Sequence, residues 1–372
     1  LAFSTVVDYF VARRMAATDA PGRRRAWLFV SLAGNLGMLS FFKYGGFLVG
    51  NAAALVNAAG FDWHPEGWKV GLPAGISFFT FQTLSYTIDV YRRQIRPAAS
   101  LLDFACFVSF FPQLVSGPIV RAAQFLPQVE IPRRATAAQF SWGLVLLVIG
   151  LTQKVVFADN LLAPTVDRAF DLTRGPVSCG AAWCGALAFS SQIFCDFAGY
   201  SLAAIGVALC FGFSLPDNFH APYAAVGFSD FWRRWHISLS SWLRDYLYVP
   251  LGGNRLGKRR AISNVVLVFT LSGLWHGAAW TFVVWGAFHG AWLAVHRALR
   301  PHLPRFPARF GALGHLICVF LTFQGVCFGW LFFRAKSVAQ AWQILVAMAS
   351  GLHFDAGSRA SLARLAGYAA PL

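Results

Sequence analysis

One histidine stands where chemistry would be costly to place by accident. The stretch Leu271-Ser-Gly-Leu-Trp275-His276-Gly277-Ala-Ala-Trp280-Thr-Phe-Val-Val-Trp285-Gly-Ala-Phe-His289-Gly290 is apolar apart from its imidazoles and hydroxyls. Ionisable groups in such segments are expensive, so each is a functional candidate. A neutral, positioned imidazole can take the proton of an attacking hydroxyl, which makes His276 a candidate general base. Gly273 and Gly277 flank it and leave space for a substrate or another helix. Trp280 lies at i+4, on the same face of a continuous helix. A structural histidine that bonds a neighbouring helix is an equal alternative from these residues alone. His289 lies thirteen residues on, about 140° round a straight helix, and so falls outside a site centred on His276.

Other polar residues are less sharp. His236 sits in Trp232-Arg-Arg-Trp-His236-Ile-Ser-Leu-Ser240, with Ser240 at i+4; composition alone favours an interfacial histidine on an amphipathic helix. Asp196, beside a small-residue run, could orient a histidine or pair with an arginine, and a structural ion pair is at least as good a reading. Asp230, Arg233, Arg234, Arg244 and Asp245 read as a paired network holding the central segment. His64, His220, His296, His302, His315 and His353 lie near ends or loops. No HExxH, phosphate-binding loop, dinucleotide glycine pattern or nucleophile elbow occurs, and the seven cysteines show no metal spacing, so no metal ligand is assigned. The cysteines read as small core hydrophobes.

The elements that must hold these residues are membrane helices. Hydrophobic residues make up 57% and charged residues 12% of the chain, at a mean hydropathy of +0.55. Soluble domains carry roughly 25% charged residues, so this chain could not coat a soluble surface. The net charge of +16 comes in short basic clusters between apolar runs, such as Arg23 to Arg25, Arg133-Arg134, Lys258 to Arg260 and the stretch 297–309. That is the pattern of cytoplasmic loops facing anionic headgroups, and it excludes a nucleic-acid partner, because no soluble module carries a basic face.

Apolar runs span residues 27–42 (extended by 47–59), 70–90, 101–120, 140–157, 181–213, 262–295 and 313–333, with a shorter one over 339–352. The runs from 181 and 262 are long enough for a tilted span or a helical hairpin. The fold class is all-α, a polytopic membrane helix bundle of roughly eight to ten membrane-associated helices. Linkers are short, no soluble domain appears, and residues 1–372 read as one membrane domain. The absence of an internal repeat argues against transporters built from duplicated halves. Beginning at Leu1 inside an apolar run, the chain reads as a fragment.

Residues 216–260 differ: Trp, Tyr and Arg replace long aliphatic runs, so this segment belongs at the interface or around a polar cavity. Residues 228–247 read as one helix, with Trp232, Trp235, Leu239 and Trp242 at three-to-four spacing and Ser229 as its cap.

Two long motifs now stand out: Phe231-Trp-Arg-Arg-Trp-His236-Ile-Ser-Leu-Ser-Ser-Trp-Leu-Arg-Asp-Tyr-Leu-Tyr-Val-Pro-Leu-Gly-Gly-Asn-Arg255 and Ser272-Gly-Leu-Trp-His276-Gly-Ala-Ala-Trp280. With Asn35-Leu-Gly, Phe41-Phe-Lys-Tyr44, residues 75–82, 109–121 and 192–200, the chain resembles the membrane-bound O-acyltransferase superfamily over nearly all its length, nearest its bacterial alginate O-acetylation branch. Ala198 and Leu202 stand where that branch usually carries Ser and Asp, so no substrate role is given to them.

The resemblance implies a helix bundle with a funnel or tunnel, for which Trp275, Trp280, Ser240, Asp196 and Asn218 are candidate lining residues. It places the family's invariant histidine at His276 and its second at His236, both catalytic. It also implies a first helix before Leu1. The implied activity moves acetyl from a cytoplasmic thioester such as acetyl-CoA to an exported, alginate-like polysaccharide. It implies a multi-pass protein of the bacterial inner membrane, in contact with lipid and with a periplasmic SGNH-type acetyltransferase. Alternative acceptors are peptidoglycan, or teichoic acid in D-alanylation; a transporter with a histidine proton relay is the remaining class.

Overall fold

The structure, a computed structural model, describes residues 1–299 and 306–350. His302, His353, residues 300–305 of the last basic cluster and the end of the 339–352 run lie outside the described residues. In chain order the helices are α1 (Ala2–Ala16), α2 (Pro21–Leu39), α3 (Gly45–Ala58), α4 (Ile76–Tyr91), α5 (Leu101–Ser109), α6 (Phe111–Leu114), α7 (Ala122–Val129) and α8 (Ala137–Leu151). They continue with α9 (Ala163–Ala169), α10 (Cys179–Cys210), α11 (Phe228–Arg234), α12 (Ile237–Leu243), α13 (Gly257–His276), α14 (Trp280–Leu299), α15 (Phe306–Arg334) and α16 (Val338–Ala349). No strand occurs among the described residues.

Four helical stretches are long and apolar enough to cross a membrane: Pro21–Ala58, Ala137–Ala169, Cys179–Cys210 and Phe310–Arg334. The protein is a multi-pass membrane protein. The first two stay continuous through π-helical turns, Ser40–Tyr44 and Thr152–Leu162, which join α2 to α3 and α8 to α9. Only 17% and 11% of their apolar windows are buried, so their side chains are left to face lipid. The 181–213 run is one helix. The 101–120 run is not a span, because Phe110-Phe-Pro112 breaks it into α5 and α6, and proline removes a backbone donor and clashes with the preceding turn. The 70–90 run becomes helical only from Ile76.

The chain forms two compact units, residues 1–147 with 203–217, and residues 148–202 with 218–372. The first has an aromatic core in which Tyr86, Phe104, Phe107 and Phe125 follow one another at ring separations of 4.3, 6.1 and 5.9 Å. One cluster of its buried polar groups is closely paired. Asp8 accepts from Ser31 Oγ at 2.6 Å and from Asn35 Nδ2 at 2.8 Å, and Thr83 donates to Asn35 at 3.1 Å. Arg24, from the first basic cluster, is buried and donates to the carbonyls of Met15 (2.6 Å), Tyr91 (2.8 Å) and Val90 (3.1 Å). It closes the C-terminal ends of α1 and α4, where carbonyls lack helical partners. This arginine is structural as well as a topology signal.

The second unit carries every histidine of the two motifs. Its core packs Trp232, Trp235, Trp285 and Trp330 with Phe228, Phe231 and Leu331. The 262–295 run is a hairpin, α13 and α14, whose backbones meet through glycines. A Cβ on Gly290 would stand 2.9 Å from the Val266 Cα, and one on Gly273 or Gly286 would strike the opposite backbone. Small residues let two helices approach closely in a membrane. No disulfide joins the cysteines among the described residues.

Candidate active site

The hairpin sets the place of His276. Gly277 turns extended (φ −159°, ψ 148°), so α13 ends at His276 itself. The imidazole therefore sits at a helix terminus, half-buried, and not in the middle of a continuous helix. Two expectations change with it. Trp280 begins α14, is 57% exposed, and is not one turn above His276. The space beside Gly273 and Gly277 is taken by a helix: Phe282 packs over both. Three rings hold the His276 imidazole edge-on, Trp275 at 5.0 Å, Trp285 at 5.1 Å and Phe333 at 5.2 Å between centres.

His236 is brought to it. The single helix expected over 228–247 is broken in two, with Trp235 extended and His236 in the left-handed region at φ 44°. Such a conformation costs a non-glycine residue energy and is found where surrounding structure enforces it. Here the enforcement is a short stretch of chain alongside: His220 N–H donates to Arg234 C=O at 2.9 Å and Ile237 N–H to Asn218 C=O at 3.0 Å. Ser229 caps nothing; Gly227 precedes α11, and its N–H donates to Thr322 Oγ1 at 2.8 Å. The break turns His236 inward. It is 1% exposed, edge-on to Phe197 at 4.6 Å, and 6.3 Å from His276 between ring centres.

Asn218 fixes which nitrogen of His236 carries the proton. Its Oδ1 lies 3.1 Å from His236 Nδ1 and accepts from Ser238 N–H at 3.2 Å and Ser238 Oγ at 2.9 Å, while its Nδ2 donates to Ser201 Oγ at 3.1 Å. A backbone N–H only donates, so the atom facing Ser238 is the amide oxygen, and Nδ1 must be the protonated nitrogen. Nε2 then presents a lone pair. It is buried with no hydrogen-bond partner among the described residues. His236 lies in the short-helix segment outside the spanning helices; burial first, and the neighbouring His276 second, push its pKa well below the usual histidine range. The site thus holds a neutral imidazole with its basic nitrogen available.

The remaining candidates scatter. Asp196 pairs with Lys154, which also binds Asp159 at 2.8 Å; the ion-pair reading fits, with lysine in place of arginine. Asp230 pairs with Arg234 at 3.0 Å and Arg244 with Asp245 at 2.7 Å. Ser240 lines a cavity of about 390 Å³ together with Trp232, Phe269, Ser272, Arg233, Arg244 and Arg297. Ser272 is one turn before His276 on α13. Arg297 is fixed by Asn254 (2.7 Å) and Tyr248 (3.3 Å). Neither Asn218's contacts nor this cavity is legible in the sequence, because both arise from residues apart in the chain.

The two imidazoles thus lie 6.3 Å apart between ring centres, one with its tautomer set, and Ser272, one turn from His276, lines the cavity that also carries Arg233, Arg244 and Arg297. The chain belongs to the MBOAT, membrane-bound O-acyltransferase, family, whose model matches residues 84–349. It is 41% identical over 347 residues to the probable alginate O-acetylase AlgI of Azotobacter vinelandii, covering 93% of this chain and 67% of that protein. It is 38% identical to the peptidoglycan O-acetyltransferase of Helicobacter pylori, over 93% of this chain and 68% of that one. The teichoic acid D-alanyltransferase of Bacillus subtilis is 27% identical over 70% of this chain and 68% of its own length. The chain spans about two thirds of the length of these relatives.

Proposed function

We propose that this protein is an O-acetyltransferase of the bacterial inner membrane that moves acetyl from acetyl-CoA toward hydroxyls of an exported, alginate-like polysaccharide. The observation that carries the reading is the His236–His276 contact, with His236 Nδ1 committed to Asn218.

His276 serves as the general base. It takes the proton of the acceptor hydroxyl as that oxygen bonds to the thioester carbonyl carbon. The tetrahedral centre then collapses, the C–S bond breaks, and the departing thiolate takes a proton back from the imidazolium. General base catalysis contributes roughly 10²–10⁴-fold, and positioning much of the rest. His236, with only a lone pair at Nε2, cannot donate to an oxyanion from that nitrogen while neutral. Its role is to share the proton, becoming an imidazolium whose Nδ1–H Asn218 continues to accept.

The donor's charge is the second constraint. A CoA thioester carries several negative charges and cannot enter hydrocarbon. The cavity bearing Arg233, Arg244 and Arg297 suits its phosphates through charge-assisted hydrogen bonds, and its lining residue Ser272 is one turn from His276 on α13. In this reading Trp275 stays near the reacting atoms, and Trp280 does not. A periplasmic SGNH-type acetyltransferase is the expected partner that passes acetyl to the glycan. Peptidoglycan is the alternative acceptor, favoured by the Helicobacter relative at 38% identity.

Acetyl-ester analysis of the exported glycan and of the cell wall, in cells with the intact gene, with no gene, and with His276→Ala, tests the reading. Esters should vanish from the exported glycan in the last two while the variant still inserts. Loss from muramic acid instead would move the acceptor to peptidoglycan. Wild-type ester content in His276→Ala would remove the mechanism.

A further inference from the structure

The reaction drawn above leaves a second buried histidine of the same unit unused. His289, on α14, is 0% exposed. The break at Gly277 that ends α13 also removes the straight helix on which His276 and His289 point apart. In the hairpin, Trp285 stands between them, 5.1 Å from each ring centre to centre. His289 also meets Trp232 edge-on at 5.2 Å, and it seats against the backbone of α15, where a Cβ on Gly329 would come within 2.6 Å of Nε2.

Its polar atoms have no protein partner. Nδ1 and Nε2 of His289, and the indole nitrogens of Trp232 and Trp285, are all buried without a hydrogen bond among the described residues. The three rings lie within 5.8 Å of one another. A neutral imidazole has one donor and one acceptor to satisfy, and buried polar groups are almost always paired. A phenylalanine would fill this aromatic cage with none of that cost. Indole donors beside an imidazole suit a small hydroxylic molecule, and a buried water needs roughly two to four such partners.

We propose that His289 is a positioning residue for acyl transfer: with Trp232 and Trp285 it binds a water behind the site, and the water-bound Trp285 fixes the orientation of the His276 ring. This rests on His276 acting as the base. Orientation matters because a misplacement of about 1 Å can cost on the order of 100-fold in rate.

The test uses the full chain in native membranes supplied with acetyl-CoA and a deacetylated alginate oligosaccharide. His289→Phe, which keeps the ring and removes its nitrogens, is expected to lower kcat by about tenfold or more with both KM values unchanged. His289→Asn, with a donor and an acceptor, should recover part of the loss. If His289→Phe does not accumulate, Trp285→Phe carries the same expectation. Wild-type kcat in the phenylalanine variants, or a loss confined to KM, overturns the proposal. A high-resolution experimental structure gives an answer that needs no activity: density for a water bonded to His289 and Trp285 is expected, and a dry cage amid other ordered waters refutes it. His276→Ala, run in parallel, separates the two readings, because full activity there sinks the general base itself whatever His289 does.

Discussion

Asn218 Oδ1 holds His236 Nδ1 at 3.1 Å while accepting two hydrogen bonds from Ser238, and this one oxygen sets the tautomer of His236. Removing it with Asn218→Ala leaves the Nδ1–H and the Ser238 N–H without an acceptor, at a cost of about 1–3 kcal/mol for each buried donor. The variant should insert but transfer acetyl on the order of 100-fold more slowly, since the imidazole loses its orientation. Initial rates in membranes check this; an unchanged rate would return His236 to a packing role.

Asn218→Asp tests the same contact by charge. In the wild type, burial and His276 hold the His236 pKa well below the ordinary range, so His236 stays neutral as pH falls through that range. A carboxylate at Nδ1 favours the imidazolium and raises the pKa. Protonation of Nε2 then removes the lone pair at a higher pH, so the acid limb of the rate profile moves up. A profile that does not move would mean that His236 carries no proton in the rate-limiting step.

What could be read along the chain was whatever sits within one element. The apolar runs gave the all-helical membrane class, and the two histidine motifs gave His236 and His276. What could not be read was set by breaks. Gly277 turns the 262–295 run into a hairpin, which takes Trp280 away from His276 and brings His289 behind it. His236 breaks the 228–247 periodicity, which the recurrence of Trp232, Trp235, Leu239 and Trp242 conceals because aromatic spacing survives a kink. Asn218 lies 18 residues before His236, in a stretch with no helical period, and nothing local marks its partner.

The glycine contacts of the hairpin make a stability prediction. Gly286→Leu would drive a side chain into the Phe269 carbonyl of α13, and overpacking of this kind costs about 1–3 kcal/mol or more. Lower membrane levels and a lower Tm in detergent are expected. Gly37 on α2 is the control: a Cβ there meets nothing within 4 Å, so Gly37→Ala should be neutral or stabilise by about 0.5–1 kcal/mol through helix propensity. Equal behaviour of the two variants would dismiss close α13–α14 packing.

Arg24 separates structure from topology. Its guanidinium donates to the carbonyls of Met15, Val90 and Tyr91 from a buried position, whereas Arg23 and Arg25 beside it are exposed. Arg24→Gln should lower stability by about 3 kcal/mol, the scale of hydrogen bonds to a buried charge. Arg23→Gln should change it by less than about 0.5 kcal/mol, as surface substitutions do. Thermal melts of the two variants decide, and equal Tm values would reduce Arg24 to a topology signal.

The arginine-lined cavity makes the last prediction, because phosphate binding and catalysis separate there. Arg244 and Arg297 both line it, Arg297 held in place by Asn254 and Tyr248, but neither is among the rings that hold His276. If the cavity takes the donor's phosphates, Arg244→Gln and Arg297→Gln should raise the KM for acetyl-CoA about tenfold each, the equivalent of about 1.4 kcal/mol, with kcat nearly unchanged. The wild-type KM should itself rise with salt, since exposed charge interactions are screened beyond about 8–10 Å at ordinary ionic strength. A short acyl thioester without the nucleotide should be used equally well by wild type and variants. Should the variants lose kcat and keep KM, the cavity is part of the reacting site and the nucleotide binds elsewhere.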